Sequence, residues 1–314
     1  MRHNNASNNR FAVYTVMVGD YDNIRQPLVV DDRFDYYLFT DIKQVDIVGV
    51  WHIRDIDYYN EDKTRMSRFP KMKPNIVLPD YDAWLYIDAN LQVAEQRLYD
   101  TFVQLFNDGV EWGYVKHGST DCAYEEAYWS IADGLESDHK MLDYCHFLRA
   151  EGFPKHYGLY FNNLIYRKHT DTVNKVDDLW WSLYERFTRR DQLSLPYAFW
   201  KTPGLHISLL LPENEHTFGA TTAVIRHEHT DSAAEKGRRA IKQSFFEHAR
   251  SRCRYINHID PRGRNELFYT FHNWLYGLPS WLAHPLLDFC GGCVVLFYGP
   301  WVKLKALIRK KKRK

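Results

Sequence analysis

The residues of this chain best suited to chemistry stand where an apolar run stops. Trp84-Leu85-Tyr86-Ile87 is followed at once by Asp88-Ala89-Asn90. An Asp with a second oxygen-bearing side chain two positions on can aim both oxygens at one ion as the chain turns away. Hard oxygen donors suit Mn²⁺ or Mg²⁺, which typically keep substrate phosphates in their shell. Such an ion would neutralise the charge that develops on a departing diphosphate. The competing reading is an Asp that caps a turn or the following helix. Just upstream stand Lys63, Arg65, Arg68, Lys71 and Lys73. A basic cluster is ordinarily a solvated face. Feeding into a strand with an acidic end, it becomes a candidate phosphate cradle, with Arg68 and Lys71 as the contacts. Asp41 closes another apolar run, where its carboxylate would accept hydrogen bonds from a base or ribose. His227-Glu228-His229 ends a third, and in an extended segment its two imidazoles share a face. A surface histidine pair is the alternative there, and the spacing is not the helical H-E-x-x-H of a metalloprotease.

These side chains need elements to hold them. Phe11 to Val18 is β-branched and aromatic and predicts a first buried strand. Asp35 to Thr40, Ala83 to Ile87, Glu111 to Lys116 and Leu159 to Tyr166 read as further strands. Residues 60–75 predict helix with breaks at Pro70 and Pro74. Residues 96–107, 135–151 and 176–187 predict further helices. Strands alternating with helices specify an α/β fold, a Rossmann-type mixed, mainly parallel sheet flanked by helices. Ligands of such sheets sit outside the carboxyl ends of the strands, which is where Asp41, Asp88 and the His227/His229 pair fall.

Several of these motifs, in order, resemble a known family. Tyr14-Thr15…Gly19-Asp20-Tyr21-Asp22, Phe39-Thr40-Asp41, Arg68…Lys71…Pro74 and the W-x-Y-I-D-A-N strand are similar to a glycosyltransferase-like domain, long catalogued as a domain of unknown function. That domain occurs in plant mucilage-related proteins and bacterial surface-polysaccharide clusters. The stretch from Lys116-His117 to Ala127 resembles its K-H-P-x-R-x-C-x-Y-x-E-A segment, with Gly118 in place of the Pro and Thr120 in place of the Arg. Arg189-Arg190-Asp191-Gln192-Leu193-Ser194 resembles its R-R-D-Q-L-S segment. The resemblance covers roughly residues 11–230.

It implies a GT-A-type fold, a nucleotide-sugar donor, with a UDP-sugar expected, and Mn²⁺ or Mg²⁺. On it, Tyr14, Thr15, Asp41, Arg68, Lys71 and Asp88 are expected at the nucleotide. Asp88 and Asn90, with His227 or His229, are expected at the metal, and Asp191 and Gln192 at the reacting centre. Glycosyl transfer passes through an oxocarbenium-like transition state. The enzyme must stabilise the departing diphosphate, and either deprotonate the acceptor or hold the donor for same-face attack. The other reading of Asp191 is a helix N-cap paired with Arg189 or Arg190. Glu125 and Glu126 are further carboxylates for an acceptor, although neighbours on a helix cannot both face one pocket. The expected reaction moves a sugar to a glycan or lipid-linked acceptor in surface-polysaccharide synthesis, lipopolysaccharide or capsule. The alternatives are a non-catalytic carbohydrate- or nucleotide-binding module and a metal-dependent hydrolase. A pure binder has no need of a metal at a leaving group, and a hydrolase needs more clustered His and Asp.

Bulk properties are compatible with this reading. The 314 residues accommodate a catalytic domain over 11–274, a short disordered N-terminus over 1–10, and a separate C-terminal segment over 275–314. A net charge of +1 supplies no global field for nucleic acid. Aromatics reach 16%, which suits stacking on sugar rings as well as a tightly packed core. Five irregularly spaced cysteines do not form a disulfide framework. The polar MRHNNASNNR start contains no apolar stretch, so a cytoplasmic location is expected. In the C-terminal segment Trp281, Leu282, Leu286 and Trp301 precede the run Arg309 to Lys314. Pro285, Asp288 and Pro300 interrupt it, short of the roughly 20 apolar residues of a membrane span. The expectation is a helical segment lying on an anionic membrane at its inner face. For the basic run alone, a disordered tail or a nucleic-acid patch is the alternative.

Overall fold

The computed structural model describes residues 9–19, 23–132, 135–136, 138–213, 215 and 222–224, with the separate positions 278, 282 and 285. In chain order the elements are β1 (Phe11–Met17), β2 (Phe34–Thr40), β3 (Ile47–Val48), β4 (Trp51–Asp55), α1 (Lys63–Met72), α2 (Pro74–Val77), β5 (Ala83–Ile87), β6 (Leu91–Val93) and α3 (Arg97–Asn107). They continue with β7 (Trp112–Lys116), α4 (Ala123–Ala132), α5 (Asp138–Ala150), β8 (Tyr160–Lys168), α6 (Asp171–Arg186), α7 (Asp191–Lys201), β9 (Ile207–Leu209) and β10 (Thr222–Val224).

β1 is built from residues that fit a pleated, buried surface, and its alternation sorts them. Phe11 and Val13 enter one core cluster with Leu85, Leu98, Tyr99 and Phe102 of β5 and α3. Ala12, Tyr14 and Val16 enter the other, with Met66, Trp180, Tyr184 and Phe199 of α1, α6 and α7. Burial on both faces is the signature of a strand covered by helices on both sides.

Among the described residues eight strands form one sheet in the order β3-β4-β2-β1-β5-β8-β7-β9. The pairs β1/β2, β1/β5, β2/β4 and β7/β9 are parallel. The pairs β3/β4, β5/β8 and β7/β8 are antiparallel. The sheet is therefore mixed and mainly parallel, flanked by helices, as the sequence predicts. From β1 the chain proceeds to β2 and β4 on one side, then returns to β5 on the other. This reversal opens a crevice at the carboxyl ends of β1 and β5. A second, small sheet pairs β6 antiparallel with β10, with Val224 opposite Leu91.

Three expectations shift. Pro70 does not break α1; it lies in the last turn, and the helix stops two residues later. Pro74 then opens the one-turn α2 from its first position. α6 starts well before residue 176, because the Thr170 hydroxyl caps it by accepting from the Val173 amide.

Contacts divide the chain into two units, Met1–Ala123 with Lys155–His229, and Tyr124–Pro154 with Thr230–Lys314. In the second, α5 buries Leu142, Tyr144, Cys145 and Leu148, and the Tyr124 hydroxyl donates to the Phe153 carbonyl at 2.9 Å. Among the described residues no helix is long and apolar enough to cross a membrane. The expected membrane-associating helix over 275–314 lies almost wholly outside the described residues.

Candidate functional site

The crevice at the sheet's reversal point holds a pocket of about 210 Å³, walled by Val16 and Met17 of β1, Lys63, Ser67 and Arg68 of α1, and Tyr86 and Asp88 of β5 and its end. The period of β5 places Asp88. Trp84 and Tyr86 face α1, α6 and α7, and Asp88, two residues further, follows the same alternation. The Tyr86 hydroxyl donates to Asp88 Oδ1 at 2.6 Å, and the Asp88 side chain remains 30% exposed.

Behind Asp88 lies a buried charge cluster. Lys71 Nζ is 3.6 Å from Asp88 Oδ1 and 2.5 Å from Asp191 Oδ2, and Arg68 Nε is 3.4 Å from the same Asp191 oxygen. Lys71 also sits 4.9 Å from the centre of the Tyr86 ring, within cation–π range. Four residues singled out in the sequence, Arg68, Lys71, Asp88 and Asp191, thus meet at one place. Burial alone would raise the Asp191 carboxyl, but Lys71 and Arg68 outweigh it and hold it down at about 2. Burial pulls Lys71 below its ordinary value, against the attraction of Asp191 and Asp88. Burial, reinforced by Asp88, raises Tyr86 well above its ordinary value, so its hydroxyl stays a donor.

Asp191 is not the N-cap. Arg190 takes that position in extended conformation, and Asp191 is the first residue of α7. Its carbonyl accepts from Trp180 Nε1 at 2.8 Å, which fixes the helix start. Arg189 lies 3.8 Å from Asp62. Gln192, next on α7, takes a long hydrogen bond of 3.5 Å from Arg190.

The basic cluster is not a solvated face either, because each member has a partner on another element. Lys63 pairs with Asp41, Arg68 and Lys71 with Asp191, and Lys73 with Asp178. Arg65 donates to the carbonyls of Tyr184 at 2.9 Å and Glu185 at 3.0 Å. In Asp41, Oδ1 accepts from the Gly19 amide at 2.7 Å and Oδ2 meets Lys63. It therefore clasps the end of β1, where Gly19 adopts a φ of +68°.

Tyr14 and Thr15 were expected together at the nucleotide. As strand neighbours they face opposite ways. Tyr14 is wholly buried, and its hydroxyl donates to the Lys71 carbonyl at 3.0 Å, so it braces α1. Arg167 of β8 donates to the same hydroxyl, to the Lys71 carbonyl at 2.5 Å and to Asp177 of α6 at 2.6 Å. Thr15 turns to a smaller concavity with Asn23, Arg25, Trp51 and Ala89, and its buried hydroxyl has no hydrogen-bond partner among the described residues. Arg167 and Asp177 escaped sequence reading, since a charge inside the apolar run of β8 has no local explanation. Tyr86 was missed as well, although its place on the same face as Asp88, two residues on, was a signal that could have found it.

Asn90 is half-buried on the turn after Asp88, where the Leu91 amide donates to the Asp88 carbonyl at 2.9 Å. His227 and His229 lie outside the described residues. The strand before them, β10, ends at Val224 opposite Leu91, three residues past Asp88. Glu125 is half-buried and Glu126 buried, both on α4 in the second unit.

Among solved structures, the apo form of mouse xyloside xylosyltransferase 1 matches with a TM-score of 0.37 and 9% identity, over 64% of this chain and 84% of that one. No curated protein matches. The profile of the TOD1/MUCI70 glycosyltransferase-like domain matches residues 2–218. That span is more than half of the chain, carries all the β1 to α7 elements, and contains the crevice with its charge cluster; the chain belongs to the TOD1/MUCI70 glycosyltransferase-like domain family.

Proposed function

We propose that the chain is a metal-dependent glycosyltransferase that moves a sugar from a nucleoside-diphosphate sugar, a UDP-sugar, to a hydroxyl of a glycan or lipid-linked acceptor in surface-polysaccharide synthesis. The transfer forms a bond from the anomeric carbon to the acceptor oxygen and breaks its bond to the diphosphate. The diphosphate leaves with the electron pair, and the acceptor releases its proton.

The observation that carries the reading is the charge balance behind the half-buried Asp88. Among the described residues, Arg68 and Lys71 are offset by Asp88 and Asp191, and Lys63 by Asp41. A diphosphate entering this crevice would meet donors but no surplus of positive charge. A divalent ion supplies that surplus, and the site's oxygen donors are of the hard type such an ion prefers. Asp88 and Asn90, with His227 or His229, would hold Mn²⁺ or Mg²⁺. When bound, the ion neutralises charge on the leaving diphosphate. Arg68 lines the pocket and is placed to bond a phosphate oxygen. Lys71, almost fully buried, keeps Asp88 and Asp191 in register. Asp191, held at about 2, is a poor proton acceptor at neutral pH. Its role is electrostatic: it fixes Arg68 and Lys71 beside the crevice. The segment 275–314, with its tryptophans and terminal basic run, would rest on an anionic membrane at the cytoplasmic face, within reach of a lipid-linked acceptor.

The test measures UDP affinity with and without Mn²⁺, in wild type and in Asp88→Ala, alongside donor hydrolysis across UDP- and GDP-sugars. Mn²⁺ is expected to tighten UDP binding at least tenfold in wild type and to have no effect in Asp88→Ala. Wild-type affinity indifferent to Mn²⁺, with no donor turned over, would instead identify a non-catalytic binding module.

A further inference from the structure

A second concavity opens on the same edge of the large sheet. β5 and β7 both pair antiparallel with β8, so they run the same way and end on one edge. Asp88 follows β5, and His117 follows β7. The two ends lie two strand spacings apart across β8 and, with Asp88 opposite Asn163 and His117 opposite Leu159, are also offset along it, a separation of roughly 16 Å. Beyond β7 lies a pocket of about 390 Å³, bordered by the rings of Tyr114, Tyr157 and Tyr160 and by Lys116, Asp121 and Glu213. Tyr114 and Tyr160 meet edge to face with centroids 4.8 Å apart. Lys116 Nζ lies 3.5 Å from Glu213, and both side chains are more than half exposed.

Tyr157 is presented by a turn that its surroundings hold under strain. His156 has a φ of +58° and Gly158 one of +133°. A side chain at 158 is doubly disfavoured, since a Cβ there would meet the Tyr160 hydroxyl at 2.7 Å. Both flanks of the turn are fastened to Asp121. Its carboxylate lies 2.6 Å from His156 Nδ1, and its carbonyl accepts from the Gly158 amide at 2.9 Å. Backbone of this kind persists only where the surroundings over-determine it, and it concentrates at ligand sites.

We propose that this pocket is a saccharide-binding subsite for the acceptor, with a sugar ring on Tyr157 and its hydroxyls bonded by Lys116 and Glu213. The inference rests on the transferase reading above. Aromatic rings offer their faces to the C–H faces of a pyranose. Paired opposite charges favour neutral hydroxyls over an anion, which would be attracted by Lys116 and repelled by Glu213. The shared edge places a sugar held here on the same edge of the sheet as a donor held at Asp88.

The test is saturation-transfer NMR on the full chain with UDP and Mn²⁺, using methyl glycosides of glucose, galactose, mannose, xylose and rhamnose. At least one glycoside is expected to be saturated by wild type, at least fivefold less by Tyr157→Ala, and at near wild-type level by Tyr157→Phe, which keeps the ring. UDP affinity should stay within twofold in each variant. Lys116→Ala, at an exposed side chain, decides the matter if Tyr157→Ala does not fold, and should also weaken saturation. No saturation by wild type, or equal saturation by Tyr157→Ala or by a sole folded Lys116→Ala, overturns the subsite. Failure of the transferase reading is separate: UDP binding would be indifferent to Mn²⁺ whatever the glycosides do.

Discussion

Replacing Asp191 by Asn removes one charge from a buried pair and keeps the side chain's shape. The side chain is only 9% exposed, and its carboxyl stands at about 2 in the fold, against an ordinary 3.8. That difference corresponds to about 2.5 kcal/mol of stability at neutral pH. Asn leaves Lys71 with Asp88 alone, 3.6 Å away, so the loss should be at least this large; deleting one member of a buried pair costs about 3–5 kcal/mol. For a domain of this size the melting midpoint should fall by roughly 5–10 °C. The pH dependence has a definite sign. Because the folded value is depressed, the contribution is complete above 3.8 and is lost as pH falls toward 2. Urea titrations at pH 7, 4 and 3 on wild type and Asp191→Asn read this directly, and the gap should shrink steadily with acid. Lys71→Met completes a double-mutant cycle, in which the double variant should lose less than the two single losses summed. Equal midpoints at pH 7, or a gap unchanged at pH 3, would refute the ion-pair argument.

Arg68→Gln removes a charge-assisted donor worth about 1.5–3 kcal/mol, so isothermal calorimetry should show UDP binding weakened roughly 10- to 100-fold. Arg167→Met leaves Asp177 buried without its partner and the Lys71 carbonyl with the Tyr14 hydroxyl alone; a loss of about 3–5 kcal/mol in urea unfolding is expected, and a midpoint within error of wild type would contradict it. Truncation after Pro279 should abolish salt-sensitive sedimentation with anionic liposomes while leaving UDP affinity unchanged, and equal sedimentation of both chains would remove the membrane role.

The strands were legible because runs such as FAVYTVM and AWLYI have the residue types of a sheet buried on both faces, and those runs stop at polar residues. Asp88 was legible for the same reason: an acid at the end of a buried strand lies at the edge where α/β sheets bind ligands. The partnership of Lys71 with Asp191 was not, since it joins α1 to α7 across a long stretch of chain. Local inspection therefore read the basic cluster as a phosphate cradle or a solvated face and did not foresee its counter-charges, which come from four other parts of the fold. Tyr14 and Thr15 show a different limit. A motif treats them as one unit, while strand geometry sends one to the core and the other to a separate concavity. α6 was placed late because its apolar stripe is clearer than its cap, although Thr170 and Asp171 are ordinary helix-start residues. β3, β6 and β9 are too short to generate a periodic signal of their own, and β4, though as long as β5, carries charged residues in place of an apolar run.

The sheet order has a consequence for how the chain must be made. β8 lies between β5 and β7, yet both neighbours are synthesised before it. Until residue 168 leaves the ribosome, β5 has parallel β1 on one side and a row of open amide and carbonyl groups on the other, and β7 has no partner at all. Edges of that kind invite pairing with other chains. Lys71 is in the same position, since its counter-charge Asp191 is synthesised later still. Release of the polypeptide before β8 would leave a hydrophobic central strand unpaired beside a cation still lacking its main partner. Chains ended at residue 150 should aggregate on expression, and those ended beyond residue 201 should be markedly more soluble.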